Sequence, residues 1–165
     1  MDDHYLFLIY LGAFVLYLIP VLFFLAGWQK RTRKNNLIFL ACYSLLTAGI
    51  LFYILTPAPL LDPDVEVKHL TVYEMNGATQ RDITREIDKK TVTELLSKAT
   101  RSRLPKWFDY YPTEDIEYVI MGFHDLHFFN IYLGNITMFN YPDKLGSYTI
   151  HDGAALLAAF EALLP

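Results

Sequence analysis

The chain reads as an α+β protein in two parts, a two-helix transmembrane hairpin followed by a β-β-α-β-β-β-β-α domain with an antiparallel sheet. Three observations predict it. Two long uncharged apolar stretches come first, apolar alternation punctuated by short turn signals recurs after residue 65, and two segments of helical period interrupt that alternation.

Residues Tyr5 to Trp28 carry no charge over 24 positions. At 1.5 Å per residue that is about 36 Å of helix, enough to cross a hydrocarbon core with some tilt. Leu37 to Leu55 covers a further 19 uncharged residues, or about 28 Å. Between them, in QKRTRKNN (29–36), lie Lys30, Arg31, Arg33 and Lys34, whereas the N-terminal flank holds Asp2 and Asp3. The positive-inside bias assigns this loop to the cytoplasm. Two spans return the chain to its starting side, so the N-terminus and the C-terminal domain are expected outside a plasma membrane. The acidic flank and the basic cluster after the first stretch run opposite to a signal peptide, and the first helix is read as uncleaved. Neither span contains an ionisable group other than tyrosine and Cys42, which argues against a transporter or channel. Ala41, Ser44 and Ala48 form a small-residue stripe suited to close packing against the first helix or a partner helix.

Residues 1–57 thus form the hairpin. TPAPLLDPD, with three prolines, closes the second helix and makes 58–64 a short stiff linker. The domain, 65–165, opens with a hairpin turning at Asn76-Gly77. A helix follows, capped by Asp88, with Val92, Leu95, Leu96 and Ala99 on one stripe. Its basic end, Lys98, Arg101, Arg103 and Lys106, complements the helix dipole and could alternatively meet phosphate or an acidic partner. KWFDYYPTEDIEY reads as an ordered loop. Four strands follow, divided by Asp125-Leu126, Gly134-Asn135 and a bend at Pro142-Asp143-Lys144. The last helix, DGAALLAAFEALL, is assigned Asp152 as its cap.

Two-residue turns fix a register. His124 then faces His127, and Phe123 faces Phe128. Carried through Gly134-Asn135, the same register sets Leu133 opposite Ile136 and Ile131 opposite Met138. One face becomes an apolar core of Ile120, Phe129, Ile131, Leu133, Ile136 and Met138. The other bears Met121, Phe123, Phe128, Asn130, Tyr132, Phe139 and Tyr141, an aromatic face that either meets another protein or is covered by the first hairpin or the WFDYY loop.

Opposed residues have Cβ atoms about 5 Å apart, so His124 and His127 could share zinc or copper, with His151 or Asp125 needed to complete the set. The acidic cluster Glu114, Asp115 and Glu117 reads as a solvated loop rather than a pair of catalytic carboxylates. No G-x-S-x-G elbow or phosphate-cradling glycine loop occurs, and the lone cysteine falls in the second span. From Ala58 onward ten basic residues meet sixteen acidic ones, a net −6, which excludes a nucleic-acid partner and disfavours anionic lipid for the domain as a whole.

The segment DKKTVTELLSKA after a first hairpin, and the close SYTIHDGAALLAAFEALL, resemble small extracytoplasmic domains of uncharacterised bacterial lipoproteins and membrane-anchored proteins. The resemblance covers the last hundred residues and implies fold and location, with no catalytic residues. The lipidation cysteine of such lipoproteins is absent. The expectation is a membrane-anchored extracytoplasmic binding or accessory module, not an enzyme, that contacts another envelope protein. The alternative is a metal-binding protein or metal-dependent hydrolase using His124, His127 and His151.

Overall fold

The computed structural model describes residues 3–27, 32–62, 66–77, 79–106, 115–124, 127–141 and 147–165. Lys30, Arg31, Asp125, Leu126, Glu114, the WFDYY stretch and the Pro142-Asp143-Lys144 bend fall outside them. The chain is α+β and divides into two compact units, Met1–Leu55 and Thr56–Pro165.

The first unit is helix α1 (Asp3–Ala26) and helix α2 (Arg33–Leu55). Both are apolar all round, long enough to cross a membrane, and almost wholly exposed in this chain. Arg33 and Lys34 lie in the first turn of α2 rather than in a loop. The helices meet along an aromatic seam. Phe24 stacks on Phe39 with centroids 4.0 Å apart, and the Tyr17 and Thr47 hydroxyls lie 2.5 Å apart. Pro20 removes one helical donor from α1, and nearby the Tyr43 hydroxyl donates to the Tyr17 carbonyl at 2.6 Å. Ala41, Ser44 and Ala48 are exposed, so they do not pack on α1 as expected. The stripe of Phe39, Tyr43 and Thr47, two rings and a hydroxyl, lines the seam instead.

The second unit has strands β1 (Ala58–Pro59), β2 (Val67–Asn76) and β3 (Thr79–Asp82), helix α3 (Lys89–Lys98), and strand β4 (Thr100–Arg101). Strands β5 (Ile116–His124), β6 (His127–Gly134), β7 (Met138–Asn140) and β8 (Ser147–Thr149), then helix α4 (Gly153–Glu161), complete it. Six strands form one antiparallel sheet in the order β3-β2-β5-β6-β7-β8, and β1 pairs with β4. The expected stiff linker is not one. Leu60 and Leu61 are each 1% exposed and belong to the core, because the run PAPLL buries its leucines once β1 docks on β4.

The core lies between one sheet face and the two helices. From α3, Val92 and Leu96 enter it one turn apart, and from α4, Leu156 and Phe160 do the same. Asp88 caps α3, accepting from the Lys90 and Thr91 amides at 3.3 and 3.2 Å. Asp152 does not cap α4. Its backbone is left-handed (φ 52°), not the extended form that aims a carboxylate at the first amides.

Strands β5 and β6 pair with His124 opposite His127, Phe123 opposite Phe128 and Ile120 opposite Ile131. Between β6 and β7 the expected register is wrong by one residue. Three residues, Asn135 to Thr137, make the connection, so Ile131 faces Phe139 and Tyr132 faces Met138. A one-residue slip reverses every side chain. Phe139 and Tyr141 therefore enter the core, at 0% and 7% exposure, while Met138 moves to the opposite face. Asn76 pairs with Thr79, which shifts the first turn by one, and Gly77 carries its positive φ of 59°.

Candidate functional site

Both helices of the domain pack on the face of Ile120, Phe129, Ile131 and Phe139. Among the described residues no helix of the domain packs on the other face, and that is where the sequence-predicted contact residues converge. Alternation along each strand fixes three cross-strand rows. The first is Lys68, Phe123 and Phe128; the second is Thr71, Met121, Asn130, Asn140 and Ser147; the third is Tyr73, Val119, Tyr132, Met138 and Thr149.

Phe123 is the most open aromatic ring there, 39% exposed, and meets Phe128 edge-on with centroids 5.0 Å apart. Met121, Phe128, Asn130 and Tyr132 are half-buried, and Met138 and Ser147 on the same face are fully buried. The Asn130 amide donates to the Tyr132 hydroxyl at 3.4 Å, a long bond, and its Oδ1 is buried without a hydrogen-bond partner. Ser147 Oγ, in the same row, is likewise buried and unpaired. A buried acceptor without a donor costs stability, and these two atoms of the middle row have none among the described residues.

Five of the seven expected contact residues thus share this face: Met121, Phe123, Phe128, Asn130 and Tyr132. Phe139 and Tyr141 do not. Thr71 and Tyr73 of β2 join the face unforeseen. Their alternation with buried Leu70 and Val72 is visible in the sequence, but the pairing of β2 with β5 is not. A bulge between Lys68 and Thr71, with His69 at φ 52°, sets that strand's phase.

The histidines divide. His124 and His127 are opposed across the hairpin, and the His127 ring meets Tyr141 edge-on at 5.8 Å. His151 follows Thr149, which stands level with Tyr132, so it lies toward the Gly134 end of β6. Seven residues of strand separate that level from His127, roughly 23 Å at 3.3 Å per residue. The three cannot share one ion. Among the described residues no group of three His, Cys, Asp or Glu side chains converges to hold a metal.

His151 instead borders an open cleft of about 240 Å³ between α3 and α4, with Lys98 and Asp152 on its rim and Leu95, Leu156 and Ala159 in its floor. Burial, followed by the charges of Glu161, Glu74 and Glu117, raises the Tyr118 phenol above its ordinary pKa; that ring packs on Phe160 in the core, away from either site. Comparison with protein-family models, curated proteins and solved structures returned no match.

Proposed function

We propose that this chain is a membrane-anchored binding or accessory module. Helices α1 and α2 cross the plasma membrane, the segment around Arg33 and Lys34 faces the cytoplasm, and the domain stands outside and contacts another envelope protein. The observation that carries the reading is the occurrence, in one chain, of two all-round apolar, exposed helices and a sheet whose second face exposes Phe123, with Met121 and Tyr132 half-buried beside it. A helix apolar on every side is accounted for by lipid when its own chain does not bury it. Aromatic and methionine side chains in a mixed polar row fit a protein partner better than a small substrate. The anchor keeps the domain near the bilayer and raises its effective concentration for a membrane-bound partner.

The test is a photo-crosslinking side chain placed at Met121, with Gln80 on the exposed edge strand β3 as control, in intact cells. A discrete adduct from position 121 that position 80 lacks is expected. Identical products from both, or none from 121, would remove the face from the account.

The opposed pair His124 and His127 supports a second reading, a metal-binding protein. It needs further ligands that His151 does not supply. Stoichiometric zinc or copper in purified protein, lost on His127→Ala, would favour it over the first.

A further inference from the structure

The chain that follows α3 turns back toward the first residues of the domain, Thr56 to Leu60. Ala99 accepts from the Leu60 amide at 2.9 Å, Arg101 is paired with Ala58, and the Arg103 Nε donates to the Thr56 carbonyl at 2.9 Å. Thr56 is the residue after Leu55, the last of α2. Arg103 is therefore held within one residue of the helix end, by a hydrogen bond inside the domain.

The local path explains what is displayed there. Ser102 donates its amide to Thr149 and Lys106 donates its own to Ser147, at 2.8 and 2.7 Å. Between these two bonds three residues of this segment stand against one of β8, so Arg103, Leu104 and Pro105 bow out of the ladder. The Ser102 hydroxyl closes the bow by donating to the Leu104 carbonyl at 3.0 Å. Leu104 is left 38% exposed, one of two large apolar side chains so exposed among the described residues of the domain, and the other is Phe123.

Charge at this place runs against the charge of the domain. From Leu95 to Lys106 there are four basic residues and no acidic one, and the facing stretch TPAPLL is uncharged, although the domain as a whole is acidic. Among the described residues no carboxylate pairs with Arg101 or Lys106. The Arg101 guanidinium stacks over the Tyr148 ring, 4.2 Å from its centroid, which holds a cation beside the bow without neutralising it.

We propose that this bow, with Leu104 at its tip and Arg103 and Lys106 on its flanks, is a membrane-surface contact that binds the phosphates of anionic phospholipid headgroups. The inference rests on the reading that α2 crosses the bilayer, since Thr56 then lies at headgroup depth. A basic pair flanking an exposed leucine suits that layer, with the cations at the phosphates and the alkyl group toward the acyl boundary. The net −6 of the domain repels anionic lipid elsewhere, so the contact also sets which end of the domain faces the membrane.

The test uses the full chain in proteoliposomes of phosphatidylcholine, with or without phosphatidylglycerol. An environment-sensitive fluorophore is attached in turn to native Cys42 and, in a Cys42→Ser background, to Leu104→Cys or Gln80→Cys. Quenching by spin-labelled lipid is read at each site. Expected is quenching at 104 but not at 80, stronger with phosphatidylglycerol, weakened in about 1 M salt where the screening length is about 3 Å. Lys106→Gln, at an exposed side chain with no ion-pair partner among the described residues, should lower the docked-to-free ratio about fivefold. Quenching at Cys42 with none at 104 overturns the contact and leaves the anchor standing. No quenching at Cys42 overturns the spanning reading and the contact with it. Quenching at 104 that ignores lipid charge, salt and Lys106→Gln overturns the headgroup assignment.

Discussion

Two phenylalanines illustrate how much a single register decides. Phe139 is fully buried, with its ring edge-on to Tyr141 at 4.5 Å, while Phe123 is 39% exposed on the other face. Phe139→Ala should cost about 3–5 kcal/mol, the range for emptying a core aromatic site. Phe123→Ala should cost about 1 kcal/mol, mostly its edge contact with Phe128. Denaturant unfolding of the two variants checks the pair, and equal losses would contradict the observed register. Gly134 makes the same point about backbone. A Cβ there would lie 2.2 Å from the Asp115 carbonyl oxygen and 2.9 Å from the Glu117 amide, where β5 crosses the end of β6. Backbone atoms cannot swing aside as a side chain can. Gly134→Ala is predicted to lower stability by about 2 kcal/mol through forced backbone strain, read by the same unfolding curves.

Elements show where local rules sufficed and where they did not. Helix α3 begins as its sequence predicts, because Asp88 caps it by contacts made within three residues. The Thr91 hydroxyl and amide hold the Asp88 carboxyl below its ordinary pKa, and the Thr84 hydroxyl and amide do the same for Asp82. A carboxyl with a depressed folded pKa stabilises fully above its unfolded value, about 3.9, and loses that contribution as pH falls through the folded value. Domain stability is therefore predicted to drop below about pH 4. Asp88→Asn, which keeps a capping oxygen but cannot titrate, should show a shallower fall in acid unfolding profiles.

The β5–β6 pairing was legible too, since a two-residue turn and a clear alternation leave one register. The β6–β7 pairing was not, because Gly134-Asn135 resembles such a turn while the connection uses Asn135, Ile136 and Thr137. That one extra residue exchanged Met138 for Phe139 in the core. Leu60 and Leu61 were hidden by the prolines around them, whose local signal is a linker although the tertiary demand is for core. Asp152 has the right residue type for a cap in the wrong backbone conformation, a distinction that only φ reveals. Within the candidate face, the residues from β5 and β6 were readable because those strands are neighbours in sequence. Thr71 and Tyr73 were not, since β2 reaches β5 across α3.

At the scale of the molecule, two compact units follow one another along the chain. The first exposes leucine, phenylalanine and isoleucine around two helices, which water penalises and lipid does not. The second has its own core, which runs from Leu60 to Phe160. Its sheet leaves one edge at β3, four exposed polar residues that discourage edge pairing, and lines the other with the segment that follows β4. The account thus assigns anchoring to one unit and recognition to the other, and it depends on the direction in which the helices cross.

That direction is the measurement to make. In a Cys42→Ser background, single cysteines at Gln80 in β3 and at Asn35 in the first turn of α2 are reacted with a membrane-impermeant maleimide in intact cells and after permeabilisation. The account predicts labelling of position 80 in intact cells, and of position 35 only after permeabilisation. Labelling of position 35 but not 80 in intact cells would invert the topology, and equal labelling of both in intact cells would contradict a membrane-crossing hairpin.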